Sequence, residues 1–301
     1  MSNSCLICNK NNLNELIYIE NFPLFFGAIP SNKKNSIEEF PLTIAQCPYC
    51  SHVQQINLVD EMIMNRVYDA EYYNCPSPVT TGMGTREIEK FYSFFKGNNL
   101  EKGKLLEIAC FDGYLLNKLN NNGWDVYGCD PSPMSNTAEE LIGDQRIEKK
   151  YFTKDLYPKN SFDYIIFRNL LEHIYDLHEF LESIAFCLKE GGRIFIDVPN
   201  LKTYEPIGGF GMFFHQHVSY FSINSLRILL SLHGFEIERA HNGNPNLFVQ
   251  AKNNGRTISI NKLVQNNNIN ESNKFENNQM IIIKKIKSFF RNKKKIALFG
   301  A

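Results

Sequence analysis

Two cysteine pairs constrain the first fifty residues more tightly than anything else in the chain. Cys5-Leu6-Ile7-Cys8 and Cys47-Pro48-Tyr49-Cys50 share the Cys-x-x-Cys spacing, which lets two thiolates grip one metal ion. Four sulfur ligands make a closed tetrahedral zinc site, structural rather than catalytic. Bound metal supplies on the order of 10 kcal/mol of folding free energy to a small lobe. Disulfides are the competing reading. The opening Met1-Ser2-Asn3-Ser4-Cys5 lacks a basic and apolar signal segment, which favours reduced thiols and a cytoplasmic location. Cys75, Cys110, Cys129 and Cys187 have no paired spacing and read as ordinary small residues.

The chain of 301 residues suggests two or three domains. Residues 1–75 hold short, irregular apolar stretches, as a zinc-stapled lobe would. An amphipathic helix is expected over 84–96. Alternation then begins, with strands over 104–109, 125–129, 162–167 and 193–198 and helices over 114–121, 176–189 and 222–233. Two last strands cover 235–240 and 247–251. Such alternation predicts a parallel sheet with helices on both faces, and a domain over 76–252. Beyond it lie an asparagine-rich linker, a basic helix over 280–295, and the apolar 295–301, which looks like the first strand of an incomplete α/β unit. Net charge is zero, which argues against nucleic acid as the partner. No apolar run is long enough to span a bilayer.

One segment carries cofactor chemistry. Leu105-Leu106-Glu107-Ile108-Ala109-Cys110-Phe111-Asp112-Gly113-Tyr114 reads as a strand, a tight small-residue turn and a helix start. Such a turn lets backbone approach a ligand and aims helix amides at it. It lacks the Gly-x-Gly-x-x-Gly of dinucleotide binders. Asp130 follows the second strand, where a carboxylate can accept both ribose hydroxyls. Glu107, Gly113 and Asp130 thus describe an adenosine site. S-adenosylmethionine fits it, because its tail is cationic and Glu107 and Asp112 are acidic. Tyr114 and Lys118 match a dehydrogenase Tyr-x-x-x-Lys pair, but directly after the first strand that pair is out of place.

Further motifs follow in order: Gly128-Cys129-Asp130-Pro131-Ser132, Asn169-Leu170-Leu171-Glu172-His173-Ile174, Asp197-Val198-Pro199-Asn200 and His215-Gln216-His217-Val218-Ser219-Tyr220-Phe221-Ser222. With the cysteine pairs, they resemble class I S-adenosylmethionine-dependent methyltransferases with an N-terminal zinc domain, notably the C-methyltransferases of nucleotide-linked keto-deoxysugars. The resemblance implies a Rossmann-like sheet, a small N-terminal zinc lobe and a truncated C-terminal α/β unit. It implies S-adenosylmethionine and Zn2+ as cofactors. Cofactor contacts would fall on Glu107, Ala109, Asp112, Gly113, Asp130 and Asn169, and zinc on Cys5, Cys8, Cys47 and Cys50. The implied partner is a small molecule, a nucleotide-sugar or related precursor of surface polysaccharide, with neither nucleic acid nor membrane.

His173 follows the strand over 162–167, and His215 and His217 follow the strand over 193–198, on the edge where substrates sit in such sheets. A histidine can take a proton from an acceptor. His217 is the expected base, with His173 as second base or orienting group. The family usually reads Tyr-His-Glu-His where this chain has Phe214-His215-Gln216-His217. An ionisable group and a hydroxyl are missing, so both carbon and oxygen stay open as the methylated atom. An RNA methyltransferase and a weakly active cofactor-binding fragment are the alternatives.

Overall fold

The computed structural model describes residues 4–24, 38–68, 75–97, 100–204 and 212–266. They divide into two compact units. The first opens the chain with strands β1 (Asn14–Pro23), β2 (Glu39–Gln46) and β3 (Val53–Ile56), followed by helix α1 (Glu61–Tyr68). The strands pair as an antiparallel meander. Leu42, Ile44 and Val53 point inward and, with Ile17 and Phe22, form the core of this unit.

The second unit begins at Pro76. Its elements run α2 (Pro78–Thr81), α3 (Thr85–Lys96), β4 (Lys104–Ile108), α4 (Tyr114–Asn121), β5 (Asp125–Cys129), α5 (Ser135–Ile142), β6 (Ile147–Glu148), β7 (Phe162–Arg168), α6 (Leu177–Cys187) and β8 (Leu188–Pro199). After α7 (Leu201–Tyr204), β9 (Ser219–Tyr220) and α8 (Ile223–Leu232) come β10 (Phe235–Asn242), β11 (Asn246–Asn253) and α9 (Ile260–Asn266).

Seven strands form the sheet of the second unit, in the order β10-β11-β8-β7-β4-β5-β6. From β6 to β8 all neighbours are parallel. The sequence predicted a parallel sheet, but β11 runs antiparallel to both β8 and β10. Hydrophobic periodicity reports burial, not strand direction, so this reversal was not legible. The middles of β7 (residues 164–167) and β8 (residues 194–196) are apolar and buried, as strands covered on both faces are. On one face α3 presents Ile88, Phe91, Phe94 and Phe95, spaced for a single helical stripe. Phe95 meets Phe195 at 4.7 Å and Trp124 at 5.0 Å between ring centroids. The chain steps outward from β4 to β5 and β6, then crosses to β7 on the other side of β4. In open α/β sheets such a reversal is where a ligand crevice lies, here at the carboxyl ends of β4 and β7.

Residues 200–225, expected within the second domain, cluster instead with the first unit. The physical reason is strand pairing: Val53 and Gln54 of β3 pair with Tyr220 and Ser219 of β9. Leu201, Met212, Phe213 and Tyr220 complete the apolar core begun by β1 to β3. The asparagine-rich stretch expected as a linker contains α9. The expected basic helix over 280–295 and the strand over 295–301 lie outside the described residues. Among the described residues no helix is long and apolar enough to cross a membrane.

Candidate functional site

The turn between β4 and α4 is sharply bent. Ala109, Phe111 and Gly113 have φ of +57°, +52° and +77°. Two of them carry side chains, so neighbouring groups must hold this backbone in place. The Cys110 amide donates to the Cys129 carbonyl at 3.2 Å, and the Gly113 amide to the Cys110 carbonyl at 2.9 Å. The Phe111 amide donates to Asp130 Oδ2 at 2.9 Å. The acid that closes β5 is therefore bonded directly to the turn that closes β4. Gly113 is required twice over. Its φ is left-handed, and a Cβ there would lie 2.8 Å from both Cα and Cβ of Ala138 on α5.

The three acids predicted for the site differ in environment. Asp130 Oδ1 accepts from the Ser132 amide at 2.8 Å and from the Ser132 hydroxyl. With about four lone-pair positions per carboxylate, one acceptor direction remains, on Oδ2. Asp112 is buried, and its carboxylate is engaged within the protein. Oδ2 accepts from the Ser77 hydroxyl and the Val79 amide, each at 2.7 Å, and Oδ1 accepts from the Tyr114 amide at 3.1 Å. It ties the start of α2 to the start of α4. Glu107 is buried, and its Oε2 has no hydrogen-bond partner among the described residues. Burial pushes its carboxyl up to about 8; Arg168 opposes this, and Asp112 and Asp130 reinforce it. This favours the protonated form of Glu107 near neutral pH, while Asp112 accepts three donors from the protein itself.

A second group of side chains lies at the ends of β7, β8 and β11. Asn169 is exposed just past β7, with φ +45°, and its amide donates to the Asp197 carbonyl at 2.7 Å. Asn246 Nδ2 donates to Asn169 Oδ1 at 3.0 Å and to Asp197 Oδ1 at 2.7 Å. Arg168 Nε donates to Asp197 Oδ2 at 3.2 Å. Burial raises the Asp197 carboxyl, with Arg168 and Asn246 opposing. Sequence reasoning passed over Arg168 and Asn246, and named Asp197 only within the Asp197-Val198-Pro199-Asn200 motif. The available signal was a charge following each of two apolar runs, Ile165-Ile166-Phe167-Arg168 and Ile194-Phe195-Ile196-Asp197. Next along the chain, His173 closes a short helical turn after Glu172. Glu172 is buried, and burial holds its carboxyl well above the usual range. The Tyr114 and Lys118 pair is structural: both side chains bond Glu89, at 3.1 and 2.6 Å.

In the first unit the four cysteines converge. Their sulfurs all lie within 4.8 Å of one another, with Cys5 and Cys50, and Cys8 and Cys47, each 3.4 Å apart. All four are buried free thiols. Tetrahedral thiolates bound at about 2.3 Å would sit about 3.8 Å apart, close to this spacing. The two turns match: Asn9 and Ser51, each following a second cysteine, have φ of +56° and +59°.

His217 and His173 belong to different units. His217 is buried, and its Nδ1 lies 2.8 Å from the Met212 carbonyl. A carbonyl only accepts, so Nδ1 carries a proton, and in the neutral ring the lone pair falls on Nε2. Phe214 lies against the ring, 4.0 Å between centroids. His215 is different in kind. It sits edge-on to Phe22 and Phe40, and burial lowers its pKa, as for a core histidine.

A family model described as a methyltransferase domain matches residues 83–240. Among curated proteins, the C-methyltransferase NovU of Streptomyces niveus is 30% identical over 114 residues, 38% of this chain and 24% of that one. A ubiquinone biosynthesis O-methyltransferase of Bradyrhizobium diazoefficiens is 30% identical over 101 residues, 32% of this chain and 40% of that one. The matches thus span well under half of those relatives. Among solved structures, a Burkholderia thailandensis 1,6-didemethyltoxoflavin-N1-methyltransferase with bound S-adenosylhomocysteine superposes with a TM-score of 0.52, at 16% identity, over 72% of this chain and 96% of that one. The PH0226 protein of Pyrococcus horikoshii gives 0.50, at 18% identity, over 59% and 93%. These two show the fold alone, an α/β Rossmann-like methyltransferase sheet.

Proposed function

Because this chain belongs to the methyltransferase domain family, we propose that it transfers a methyl group from S-adenosylmethionine to a small molecule, a nucleotide-linked keto-sugar or related precursor of surface polysaccharide. The observation that carries this reading is the hydrogen bond from the Phe111 amide to Asp130. It locks a left-handed turn and a ribose-accepting carboxylate into one cradle at the carboxyl edge of the sheet. The open acceptor direction on Asp130 Oδ2 takes a ribose hydroxyl. The Ser132 hydroxyl turns aside where a second is bound. Asp112 holds the turn's frame, Glu107 and Ala109 line it, and Gly113 lets α5 approach. Asn169, braced by Asn246, stands at the neighbouring strand end. S-adenosylmethionine supplies an electrophilic methyl on a sulfonium.

On this reading His217 is the base, its Nε2 lone pair set by the Met212 carbonyl. His173 is the second base or orienting group. A carbon acceptor needs removal of a C–H proton beside a carbonyl, and an oxygen acceptor needs removal of a hydroxyl proton. One relative is a C-methyltransferase and another an O-methyltransferase, so the acceptor atom is settled by the product. Cys5, Cys8, Cys47 and Cys50 hold Zn2+ as a structural site, since a closed set of four sulfurs leaves no open position for substrate. The test is mass spectrometry of nucleotide-linked keto-sugars incubated with methyl-labelled cofactor. Labelled sugar from the wild type and none from His217→Ala is the expected result. Label that appears in RNA, or in sugar equally with both proteins, sinks this reading.

A further inference from the structure

Strand β3 carries two adjacent buried glutamines, Gln54 and Gln55. Successive side chains on a strand point to opposite faces, and these two make unrelated bonds. Gln54 faces the first cysteine turn. Its Oε1 accepts from the Leu6 amide at 2.7 Å, and its Nε2 donates to the Ser4 carbonyl at 3.1 Å. Gln55 faces the histidine loop. Its Nε2 donates to the carbonyls of His215 and His217 at 3.3 and 3.2 Å. Its main-chain amide donates to the Val218 carbonyl at 2.8 Å. One side-chain nitrogen thus serves two buried carbonyls flanking Gln216.

The chemistry at this point demands an amide. Two carbonyl oxygens converge on one nitrogen, so a carboxylate in its place would set a third oxygen against them. An apolar side chain would leave both carbonyls short of a donor, which buried groups tolerate poorly. The same loop holds the Met212 carbonyl that fixes the His217 ring. We infer that Gln55 is a positioning residue that sets the tautomer and aim of His217 from the cysteine-bearing lobe. This rests on the reading of His217 as the base. The lobe then has a catalytic duty: one face of β3 is anchored at the cysteine turn and the other presents the loop.

The test uses the full chain with 15N-labelled histidine and two variants of near-equal shape, Gln55→Glu and Gln55→Met. In the wild type, long-range nitrogen–proton spectra place the His217 proton on Nδ1 at neutral pH. In the variants the spectrum becomes a mixture of tautomers. With a dTDP-linked 4-keto-6-deoxyhexose as acceptor, kcat falls on the order of 10- to 100-fold, while S-adenosylmethionine affinity by calorimetry stays within about two-fold. Gln55→Met decides the matter should the carboxylate prevent folding. A wild-type proton on Nε2 overturns the inference. So does a variant with wild-type tautomer and kcat where His217→Ala is inactive. Full activity in His217→Ala removes the base instead, a failure of the functional reading that the tautomer spectra tell apart.

Discussion

The turn after β4 and the loop around His217 gain rigidity by opposite means. In the turn the backbone is bent into left-handed geometry, and carboxylates accept its amides: Asp130 from Phe111, Asp112 from Tyr114. In the loop the backbone offers carbonyls, and a side-chain amide donates to them. The turn draws on residues close in sequence, with Phe111 and Asp130 19 positions apart. The loop draws on a strand 162 positions away from His217. Local support is written into small residues and strand-ending acids. Distant support depends on a far-off strand of the same unit, and that unit also gathers four thiols.

The largest effect should come from breaking the distant support. On the proposed zinc site, Cys47→Ser should remove on the order of 10 kcal/mol of metal-linked folding free energy from the first unit. Hydrogen exchange read by mass spectrometry should then rise over 39–56 and 212–222, with 104–199 still protected. Uniform protection across both regions would erase the contrast. Glu107→Gln comes next and depends on pH. The folded carboxyl keeps its proton up to about 8, where the unfolded chain releases it near 4.5. The native state therefore binds more protons inside that window, and its stability declines as pH climbs from about 4.5 to 8, levelling off above. The variant should match the wild type at pH 5 and exceed it by a few kcal/mol at pH 9 in urea unfolding. Equal offsets at both pH values would mean that Glu107 is not held neutral.

Gly113→Ala attacks the turn directly. A left-handed φ and a methyl against Ala138 together should cost about 3 kcal/mol, seen as a lower Tm and weaker S-adenosylmethionine binding. An unchanged Tm would show that α5 can move aside. The smallest expected change sharpens the picture of Asp130. Ser132→Ala removes one donor from Oδ1 and should tighten S-adenosylhomocysteine binding by up to about 1 kcal/mol. Weaker binding would mean that the hydroxyl itself serves the ligand.

The contrast also explains what the sequence could disclose. The cysteine spacing, Gly113 and Asp130 stand out because each answers a local demand: two ligands on one turn, a left-handed residue against a packed helix, an acid at a strand end. Asp130 meets the turn because β4 and β5 are parallel neighbours. The engagement of Asp112 by Ser77 and Val79 was hidden, since nothing in a motif reveals what a carboxylate already holds. Gln55 gave no signal at all, being one of two glutamines in a short strand. The clustering of 200–225 with the first unit arises from β3 pairing with β9, a contact between distant stretches that periodicity does not encode.

Cofactor binding rests on the cradle made by Asp130 and the turn at Phe111. Titrating S-adenosylmethionine by calorimetry into the wild type and Asp130→Ala tests it most directly. Saturable one-to-one binding by the wild type, weakened at least about 30-fold in a variant that still folds, is the predicted result. No binding by the wild type, or equal affinity in both proteins, would contradict it.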